Sequence, residues 1–396
     1  MATTTVDESP SAPTPLAPSL FLLIAAGAGL SAASLYYNQP ILGTIARDFG
    51  VAPSAVGWLP TFTQVGYAVG IFLFAPLGDR LDLRRVIIVK GAILATALLL
   101  AGFAPSVGAL SAASLAIGLA ATTAQDFVPA AAALAPAGTR GKTVGIAMTG
   151  LLLGILLSRV ASGIVGEHLG WRAVYMGSSV LVAGLVAVTA IRMPSLPPSA
   201  TSSYGALLRS TLALVRDKAP LRRAALGQAL LAMAFSGFWS TLAIVLANEP
   251  FRMGSSVAGA FGLAGAVGAL AAPVAGSLAD KRGPAAVLRV GAALVFGAFL
   301  ALVVAPGSFV VLLVAVVVFD LGVHASLIAH QSIVYGLDAT ARSRLNAVLV
   351  SSMFVGMAIG SAIAARLVER WGLAGVGGLG VVAAVAAWMV RVRSSS

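Results

Sequence analysis

The sequence lacks cysteine entirely, and charged side chains make up only 10% of its 396 residues. Without cysteine, the chain can form no disulfide, thiol nucleophile or thiolate metal site. A soluble domain carries about 25% charged residues to cover its surface, so a chain that is 59% hydrophobic is expected to face lipid. Its three histidines fall in none of the spacings typical of metal sites. We therefore expect an integral membrane protein that needs no cofactor.

Long apolar runs follow one another along nearly the whole chain. A membrane-crossing helix needs roughly 20 such residues. Twelve spans are predicted, numbered here in chain order: 17–46, 54–78, 85–104, 108–134, 142–166, 172–192, 221–247, 254–279, 285–304, 308–336, 344–367 and 372–391. Most connections are short, which makes neighbouring helices antiparallel. The predicted fold is an all-α integral membrane protein with twelve transmembrane helices.

Positive charges indicate how these helices are oriented in the membrane. The formal net charge is +12. With the N-terminus inside, nineteen of the 25 Lys and Arg lie in or beside cytoplasmic segments, which is the bias that orients membrane proteins. Both termini are therefore predicted to be cytoplasmic, in the inner membrane of the cell. The basic excess is a topology signal, and no nucleic-acid partner is expected.

A charged loop between spans 2 and 3 recurs in the second half of the chain. The segment 75–85, APLGDRLDLRR, carries five charges in seven positions, and a weaker copy, GSLADKRGP, occupies 276–284. The copies lie 201 positions apart, which predicts two similar six-helix halves. The predicted organisation is a disordered cytoplasmic tail (1–16), an N-terminal bundle (17–192), a cytoplasmic linker (193–220), a C-terminal bundle (221–391) and a second cytoplasmic tail (392–396). Within the linker, 204–215 is amphipathic enough to lie along the inner membrane surface.

Glycine pairs spaced four residues apart occur in three of the predicted spans. They are Gly66 with Gly70, Gly150 with Gly154, and Gly356 with Gly360. Both members of a pair share one helix face and let another backbone approach closely. Glycine is also common in membrane helices generally, so ordinary helix packing remains the alternative.

The loop and the repeat together resemble the major facilitator superfamily over essentially the whole chain after residue 16. Five positions match the family's loop pattern: Leu77, Asp79, Arg80, Arg84 and Arg85. Ala75 and Asp82 stand where that pattern has glycine. The segment 35–40, LYYNQP, is similar to the bacterial drug and sugar-efflux branch, although the span-4 arginine and the span-5 antiporter pattern of that branch are missing. The resemblance implies two pseudo-symmetric six-helix bundles around a central cavity.

The loop charges are predicted to form a conformational latch between the two halves. The residues concerned are Asp79, Arg80, Arg84, Arg85, Asp280 and Lys281. Such contacts would hold the outward-open state and break on inward opening. Asp79→Asn should then reduce turnover more than substrate affinity. The alternative is that these charges serve topology alone.

Three charged residues within the predicted spans are candidates for chemistry, because a charge near a helix centre costs about 2.5–3.5 kcal/mol. Asp320 in span 10 lies one helical turn from His324, and this pair could hold and release a proton. Asp126 in span 4 is either a second protonation site or a structural acceptor. Arg159 in span 5 could hold an anionic substrate group or extend to the outer interface. It lies roughly 15 Å from Asp126 along the membrane normal, too far for a direct pair.

Polar and aromatic residues in the spans are predicted to line a substrate pocket with Arg159. They are Tyr36, Tyr37, Asn38, Gln39, Gln64, Tyr67, Gln125, Gln228, Phe235, Trp239 and Gln331. Arg159 matches the segment 36–39 in depth, so we expect the polar atoms of that segment to hold it. Aromatic side chains in membrane helices also pack or face lipid, which remains the alternative for each of them.

We therefore expect a secondary transporter, which exports a small organic molecule in exchange for protons. Proton-coupled uptake of a small anionic metabolite is the alternative, favoured by Arg159 and by the missing antiporter pattern. A membrane enzyme would need a nucleophile or metal cluster at one depth, which the sequence lacks, so we expect no enzyme. A non-transporting sensor or scaffold would not need buried charges. The expected partners are a small-molecule substrate, protons and the lipid bilayer, and we expect a monomer.

Overall fold

The computed structural model describes residues 18–135, 139–198, 203–269, 277–278, 281–338 and 341–392. The principal elements in these ranges are the helices Pro18–Ala33, Asn38–Phe49, Pro53–Val56, Leu59–Arg80, Leu83–Gly102, Val107–Ala121, Thr123–Leu134, Arg140–His168, Trp171–Arg192, Tyr204–Asp217, Ala219–Ala247, Ser255–Ala269, Pro284–Val304, Phe309–Tyr335 and Arg342–Val392. The predicted tail 1–16, residues 393–396 of the second tail, Asp280 and the side chain of Asp79 lie outside the described residues.

The helices account for the twelve predicted spans. In the described ranges, nine helices are long and apolar enough to cross a bilayer, and a bent pair in span 1 makes ten. The 51-residue helix Arg342–Val392 is broken at Gly372, where φ is 57° and ψ is −145°, so it forms spans 11 and 12. The apolar helix Ser255–Ala269 begins span 8. The predicted fold class is confirmed, and the span numbering is kept below.

Span 1 is broken near its middle by a proline. Its helices Pro18–Ala33 and Asn38–Phe49 meet at 43° across the turn 34–37. Pro40 lies in the first turn of the second helix, where its missing backbone N–H breaks no helical hydrogen bond, and in a continuous helix its ring would clash with the carbonyl of Tyr36. The break places Tyr36 and Tyr37 in irregular backbone inside the span.

The spans pack in the same way in both halves. Span 1 packs on span 5, span 2 on span 4 and span 3 on span 6, while span 7 packs on span 11, span 8 on span 10 and span 9 on span 12. Each C-terminal pair repeats an N-terminal pair six spans later. The two halves meet where span 5 packs on span 8 and span 2 on span 11. Span 1 also contacts spans 7 and 8, and the whole boundary between the halves is called the seam below.

The close backbone approach predicted at the glycine pairs is confirmed. In span 5, Gly150 and Gly154 lie directly against backbone atoms of Ala25 and Gly29 in span 1. The other predicted pairs make the same kind of contact: Gly66 with Leu115, Gly70 with Leu119, Gly356 with Ala229, and Gly360 with Met233. A side chain at these positions would occupy space already filled by a neighbouring helix.

Gly154→Val is expected to destabilise the protein by about 1–3 kcal/mol, because the new methyl groups must displace backbone atoms of span 1. Gly184→Val in span 6 is the matched control, since nothing lies within 4 Å of a Cβ built at Gly184. Thermal unfolding in detergent, followed by tryptophan fluorescence, measures both variants. Equal unfolding temperatures for the two would contradict the packing described here.

Asp82, where the loop departs from the family pattern, caps the start of span 3. Its carboxylate accepts hydrogen bonds from the backbone N–H of Arg84 at 2.9 Å and of Arg85 at 3.4 Å. It also accepts from the hydroxyl of Ser195 and, at 3.3 Å, from the N–H of Leu196. Burial acts to raise the pKa of Asp82, but these hydrogen bonds outweigh it and hold the pKa below its usual value. The aspartate that stands here in place of the family's glycine therefore binds the start of the linker, at Ser195 and Leu196, to the loop.

The latch residues whose side chains are described, Arg80, Arg84, Arg85 and Lys281, lie at the end of the molecule where span 1 begins and span 12 ends, the predicted cytoplasmic end. The guanidinium of Arg84 donates to the carbonyl of Ala190 in span 6, a contact within the N-terminal half. Arg80, Arg85 and Lys281 are exposed. A role for these charges between the halves stays a prediction.

The amphipathic helix expected in the linker is present as Tyr204–Asp217, and it contacts both halves. The hydroxyl of Tyr204 donates to the carbonyl of Leu73 at the end of span 2, at 2.8 Å. Arg344 at the start of span 11 donates to the hydroxyl of Ser210, also at 2.8 Å. The linker helix therefore bridges spans 2 and 11 at the predicted cytoplasmic end.

Candidate functional site

A cavity of about 430 Å³ lies between the N-terminal half and span 11. Polar side chains from spans 3, 4 and 11 line part of it: Lys90, Thr122, Gln125, Asp126, Ser343 and Asn346. Leu196 and Pro197 of the linker also line it, so it extends to the predicted cytoplasmic end. It is called the central cavity below. Its size suits a small organic molecule, since ligand pockets measure roughly 300–1,000 Å³.

An ion pair between Lys90 of span 3 and Asp126 of span 4 lies in the wall of the central cavity. Both residues are about 95% buried. The Lys90 ammonium also lies 5.9 Å from the ring centroid of Phe74. A buried pair usually gains no more energy than its desolvation costs, so fold stability alone does not account for this one.

Lys90 was missed in the sequence analysis, which counted it among the cytoplasmic charges. Span 3 begins at Leu83 and span 4 ends at Leu134, so Lys90 lies seven residues and Asp126 eight residues from the same end of the bundle. At 1.5 Å per residue, both charges lie about 11–12 Å deep. Two opposite charges at the same depth in consecutive spans were the feature of the sequence from which this ion pair could have been predicted.

Arg159 lies at the seam, between one aromatic side chain from each half. Its guanidinium carbon is 4.6 Å from the ring centroid of Tyr36 and 4.4 Å from that of Trp239. Its Nε donates to the side-chain carbonyl of Gln39 at 2.9 Å. Among the described residues, its Nη2 has no hydrogen-bond partner. Of the segment 36–39, Tyr36 contacts Arg159 with its ring and Gln39 with its amide, whereas Tyr37 and Asn38 bond to Ser178 and Thr63 instead.

Asp320, in span 10 of the C-terminal half, lies next to Trp239 and is 2% exposed. Its Oδ1 accepts a hydrogen bond from the indole N–H of Trp239 at 3.2 Å. Trp239 therefore contacts Arg159 with its ring and Asp320 with its N–H. Within the described part of the chain, Arg159 and Asp320 form no direct ion pair. We call these three residues the seam triad.

His324 does not bond the carboxylate of Asp320. Its Nδ1 lies 2.8 Å from the backbone carbonyl oxygen of Asp320, and its ring packs edge-on against Phe235 at 5.9 Å. Phe235 also contacts the rings of Trp239 and Phe319. Phe235, Trp239 and Asp320 therefore form one aromatic and acidic surface beside the seam.

Of the remaining predicted pocket residues, Gln64 makes a hydrogen bond across the seam. It donates to the hydroxyl of Ser236 in span 7 at 2.7 Å. The other contacts of this set are Gln125 with the Tyr67 hydroxyl at 3.1 Å, Tyr67 with the Phe354 ring at 4.3 Å, Asn38 with Thr63 at 3.1 Å, Gln331 with Asn346 at 3.5 Å, and Tyr37 with Ser178.

Gln228 lies apart from the central cavity. It pairs with His330 at 3.0 Å, and His330 lines a separate cavity of about 290 Å³ among spans 7, 9, 10 and 12.

The seam is closed by hydroxyl pairs at the end opposite the central cavity's opening, the predicted outer end. Thr61 of span 2 and Ser361 of span 11 lie 2.9 Å apart, and Thr44 of span 1 and Ser255 of span 8 lie 3.0 Å apart. The repeat, at an offset of 201–202, aligns Thr61 with Gly262 and Arg159 with Ser361. Gly262 lies against Arg159. The pair Thr61–Ser361 and the pair Gly262–Arg159 are therefore related by the repeat. The first is a hydroxyl pair between spans 2 and 11, and the second is an arginine against a glycine between spans 5 and 8.

The chain was compared with known proteins by sequence and by fold, and both comparisons find transporters. The sequence profile of the Major Facilitator Superfamily matches residues 24–337. The uncharacterized transporter YgaY of Escherichia coli O157:H7 is 37% identical over 361 residues, which cover 91% of this chain and 92% of that protein. A probable transporter of Streptomyces coelicolor is 35% identical over 386 residues, covering 97% of this chain and 88% of that protein.

Solved transporter structures superpose on nearly the whole chain. The nucleoside transporter NupG does so with a TM-score of 0.78 at 15% identity, covering 94% of this chain and all of that one. A D-xylose–proton symporter does so with a TM-score of 0.70 at 14% identity, covering 93% and 97%. At such low identity, this likeness concerns the fold alone.

Proposed function

The chain belongs to the Major Facilitator Superfamily, and on that premise we propose that it is a proton-coupled exporter of a small organic molecule, working by alternating access. The observation that carries the proposal is the seam triad. A buried carboxylate of one half, Asp320, is joined through Trp239 to a buried arginine of the other half, Arg159. A proton taken up by Asp320 therefore changes a contact on which the relation between the halves depends.

The coupling step follows from the chemistry of the triad. As a carboxylate, Asp320 accepts the indole hydrogen bond and adds its negative charge beside Arg159. Once protonated, it accepts that hydrogen bond more weakly, because bonds to charged acceptors are roughly twice as strong. Trp239 is then less firmly held against Arg159, and the closed outer end of the seam is free to separate. Release of the proton reverses the change.

The substrate is proposed to bind in the central cavity. The cavity extends to the predicted cytoplasmic end, whereas the hydroxyl pairs Thr61–Ser361 and Thr44–Ser255 close the opposite end. This arrangement fits a state that accepts substrate from the cytoplasm and must open outward to release it, as an exporter does. The predicted latch of loop charges would act at the cytoplasmic end, in the opposite state.

Uptake of a small anionic metabolite together with protons is the second candidate. It is favoured by the Nη2 of Arg159, which has no partner among the described residues and could bind an anionic oxygen. In that case Arg159 would hold the substrate directly, and the seam triad would open as the anion arrives.

Reconstitution in liposomes tests the proposal and separates the two candidates. The purified chain is placed in vesicles with an internal pH dye, an imposed pH difference and a panel of anionic, cationic, zwitterionic and neutral solutes. Export coupled to protons predicts that one solute and protons cross in opposite directions. Movement of both in the same direction would favour uptake, and proton movement independent of every solute would contradict both.

Trp239→Phe is expected to move the pH of half-maximal transport upward by about one to two units. The variant keeps a ring for Arg159 but loses the N–H that stabilises the Asp320 carboxylate. A hydrogen bond to a charged group is worth about 1.5–3 kcal/mol, and one pH unit corresponds to about 1.4 kcal/mol.

The matched control is Trp171→Phe at the predicted outer end, which also loses an indole N–H that bonds a carboxylate, that of Asp48, at 3.0 Å. This control should leave the pH profile unchanged. An identical shift in both variants, or no shift in Trp239→Phe, would contradict the proposed coupling.

A further inference from the structure

The wall of the central cavity carries one full positive and one full negative charge, and these charges neutralise each other. Lys90 and Asp126 are paired, buried and part of the cavity lining. They are the only ionisable residues in the described lining of this cavity. A ligand entering it therefore meets two opposite charges a few ångströms apart in an otherwise uncharged site.

A ligand with net charge is disfavoured in such a site. A cation that binds Asp126 displaces Lys90 and leaves its ammonium without a counter-charge, and an anion that binds Lys90 does the same to Asp126. An unpaired charge inside a membrane span is unfavourable, and this free-energy cost would cancel much of the binding energy of the ligand. A ligand that carries both charges avoids this cost, because its carboxylate and ammonium replace the pair with two new pairs of the same total charge.

We propose that the central cavity binds a zwitterion of the α-amino acid type, with its carboxylate on Lys90 and its ammonium on Asp126. This inference rests on the proposed function, since it takes the central cavity as the substrate site. It adds the class of substrate and assigns recognition to Lys90 and Asp126, leaving proton coupling to Asp320.

The rest of the lining indicates an apolar side chain on the ligand. The apolar lining residues come from spans 2 to 5, the linker and span 11, and they include Ile71, Val128, Val144 and Val350. Four neutral polar side chains also line the cavity, Thr122, Gln125, Ser343 and Asn346, and two of them are already bonded: Gln125 to the hydroxyl of Tyr67 and Asn346 to Gln331. A ligand whose charged groups meet the ion pair and whose side chain is hydrocarbon matches this largely apolar lining.

Arg159 takes no part in this recognition. Its guanidinium is enclosed between the rings of Tyr36 and Trp239, and it does not line the central cavity. A net anionic substrate would engage Arg159, whereas a zwitterion would engage Lys90 and Asp126. The two substrate classes are therefore recognised by different residues, and variants can separate them.

The test compares three probes that share one hydrocarbon skeleton and differ in charge: L-leucine, the cation L-leucinamide and the anion 4-methylpentanoate. Equilibrium binding to the purified wild-type chain is measured at pH 7 with each probe in radiolabelled form. L-leucine is expected to bind at least about tenfold more tightly than either of the others. Equal binding of the three, preference for a charged probe, or no binding of any would overturn the inference.

Single neutralisations are expected to invert this preference. Lys90→Gln leaves Asp126 without its partner and should favour L-leucinamide, whereas Asp126→Asn leaves Lys90 and should favour 4-methylpentanoate. The exchanged double variant Lys90→Asp/Asp126→Lys keeps a neutral pair and should still prefer L-leucine. If a single variant fails to fold, the wild-type selectivity and the exchanged variant decide the matter.

Two measurements on the wild type separate failure of this inference from failure of the proposed function. Selective binding is measured at equilibrium without a pH gradient, and coupling is measured as transport in vesicles with one. Selective binding without proton-coupled transport would sustain the inference and reject the coupling. Proton-coupled transport of a solute with net charge, without selective binding of L-leucine, would do the opposite.

Discussion

Asp320→Asn is expected to abolish transport driven by a pH gradient while leaving solute exchange across the membrane in place. Asparagine keeps a side-chain oxygen to accept the hydrogen bond from Trp239, which spans 3.2 Å in the wild type, but it can neither take up nor release a proton. The variant therefore removes the coupling and retains the packing.

The expected difference in solute accumulation between the wild type and Asp320→Asn follows from the imposed pH difference. With a pH difference of two units, one coupled proton sustains about a hundredfold concentration ratio of solute, because each unit is worth about 1.4 kcal/mol. Wild-type vesicles should approach this ratio, and Asp320→Asn vesicles should stop at equal concentrations. Exchange of labelled for unlabelled solute at equal pH should change less than about threefold. Full accumulation by Asp320→Asn would exclude this carboxylate as the coupling group.

Lys90→Met is expected to destabilise the fold by about 3–5 kcal/mol, because it leaves the buried Asp126 carboxylate without its partner. The double variant Lys90→Met/Asp126→Leu removes both charges and should recover stability to within about 1 kcal/mol of the wild type. Transport of a zwitterion should nevertheless be lost in both variants, since the single variant keeps only one of the two charges that would hold it and the double variant keeps neither. Thermal unfolding in detergent and uptake into vesicles measure the two properties separately.

The matched control is the exposed ion pair between Arg172 and Asp48 at the predicted outer end. Arg172→Met should cost less than about 1 kcal/mol, because exposed pairs contribute little. A double variant of Lys90 and Asp126 that transports normally would show the pair to be structural only.

The sequence was sufficient to predict the fold because the signal for a membrane helix is local. An apolar run and its flanking charges are visible within about 20 residues. The break in span 1 could not be located from Pro40 alone, because Pro76 and Pro129 lie inside helices that continue past them. Asp320 and Arg159 could be found because a charge inside an apolar run is conspicuous.

The partners of these residues could not be predicted in the same way. Trp239 lies 80 residues from Arg159 and 81 from Asp320 in sequence, and their contact depends on which faces of spans 5, 7 and 10 meet. A single sequence carries little information on this rotation of one helix against another. Lys90 was missed for a related reason: near the end of an apolar run, a lysine buried in a pair resembles one that extends to the interface.

In a protein that works by alternating access, the two halves separate at the predicted outer end in every transport cycle, and a cross-link between the halves at that end blocks the separation. Thr61→Cys/Ser361→Cys replaces two seam hydroxyls that lie 2.9 Å apart, close enough for a disulfide. The absence of natural cysteine makes the cross-link unambiguous, and the two single-cysteine variants serve as controls.

Oxidation of the double variant in vesicles is predicted to cross-link the seam and to reduce transport at least about tenfold, with recovery on reduction. The single-cysteine variants should be unaffected by either treatment. A fully cross-linked protein that transports at the wild-type rate would show that the halves do not separate at this end during transport.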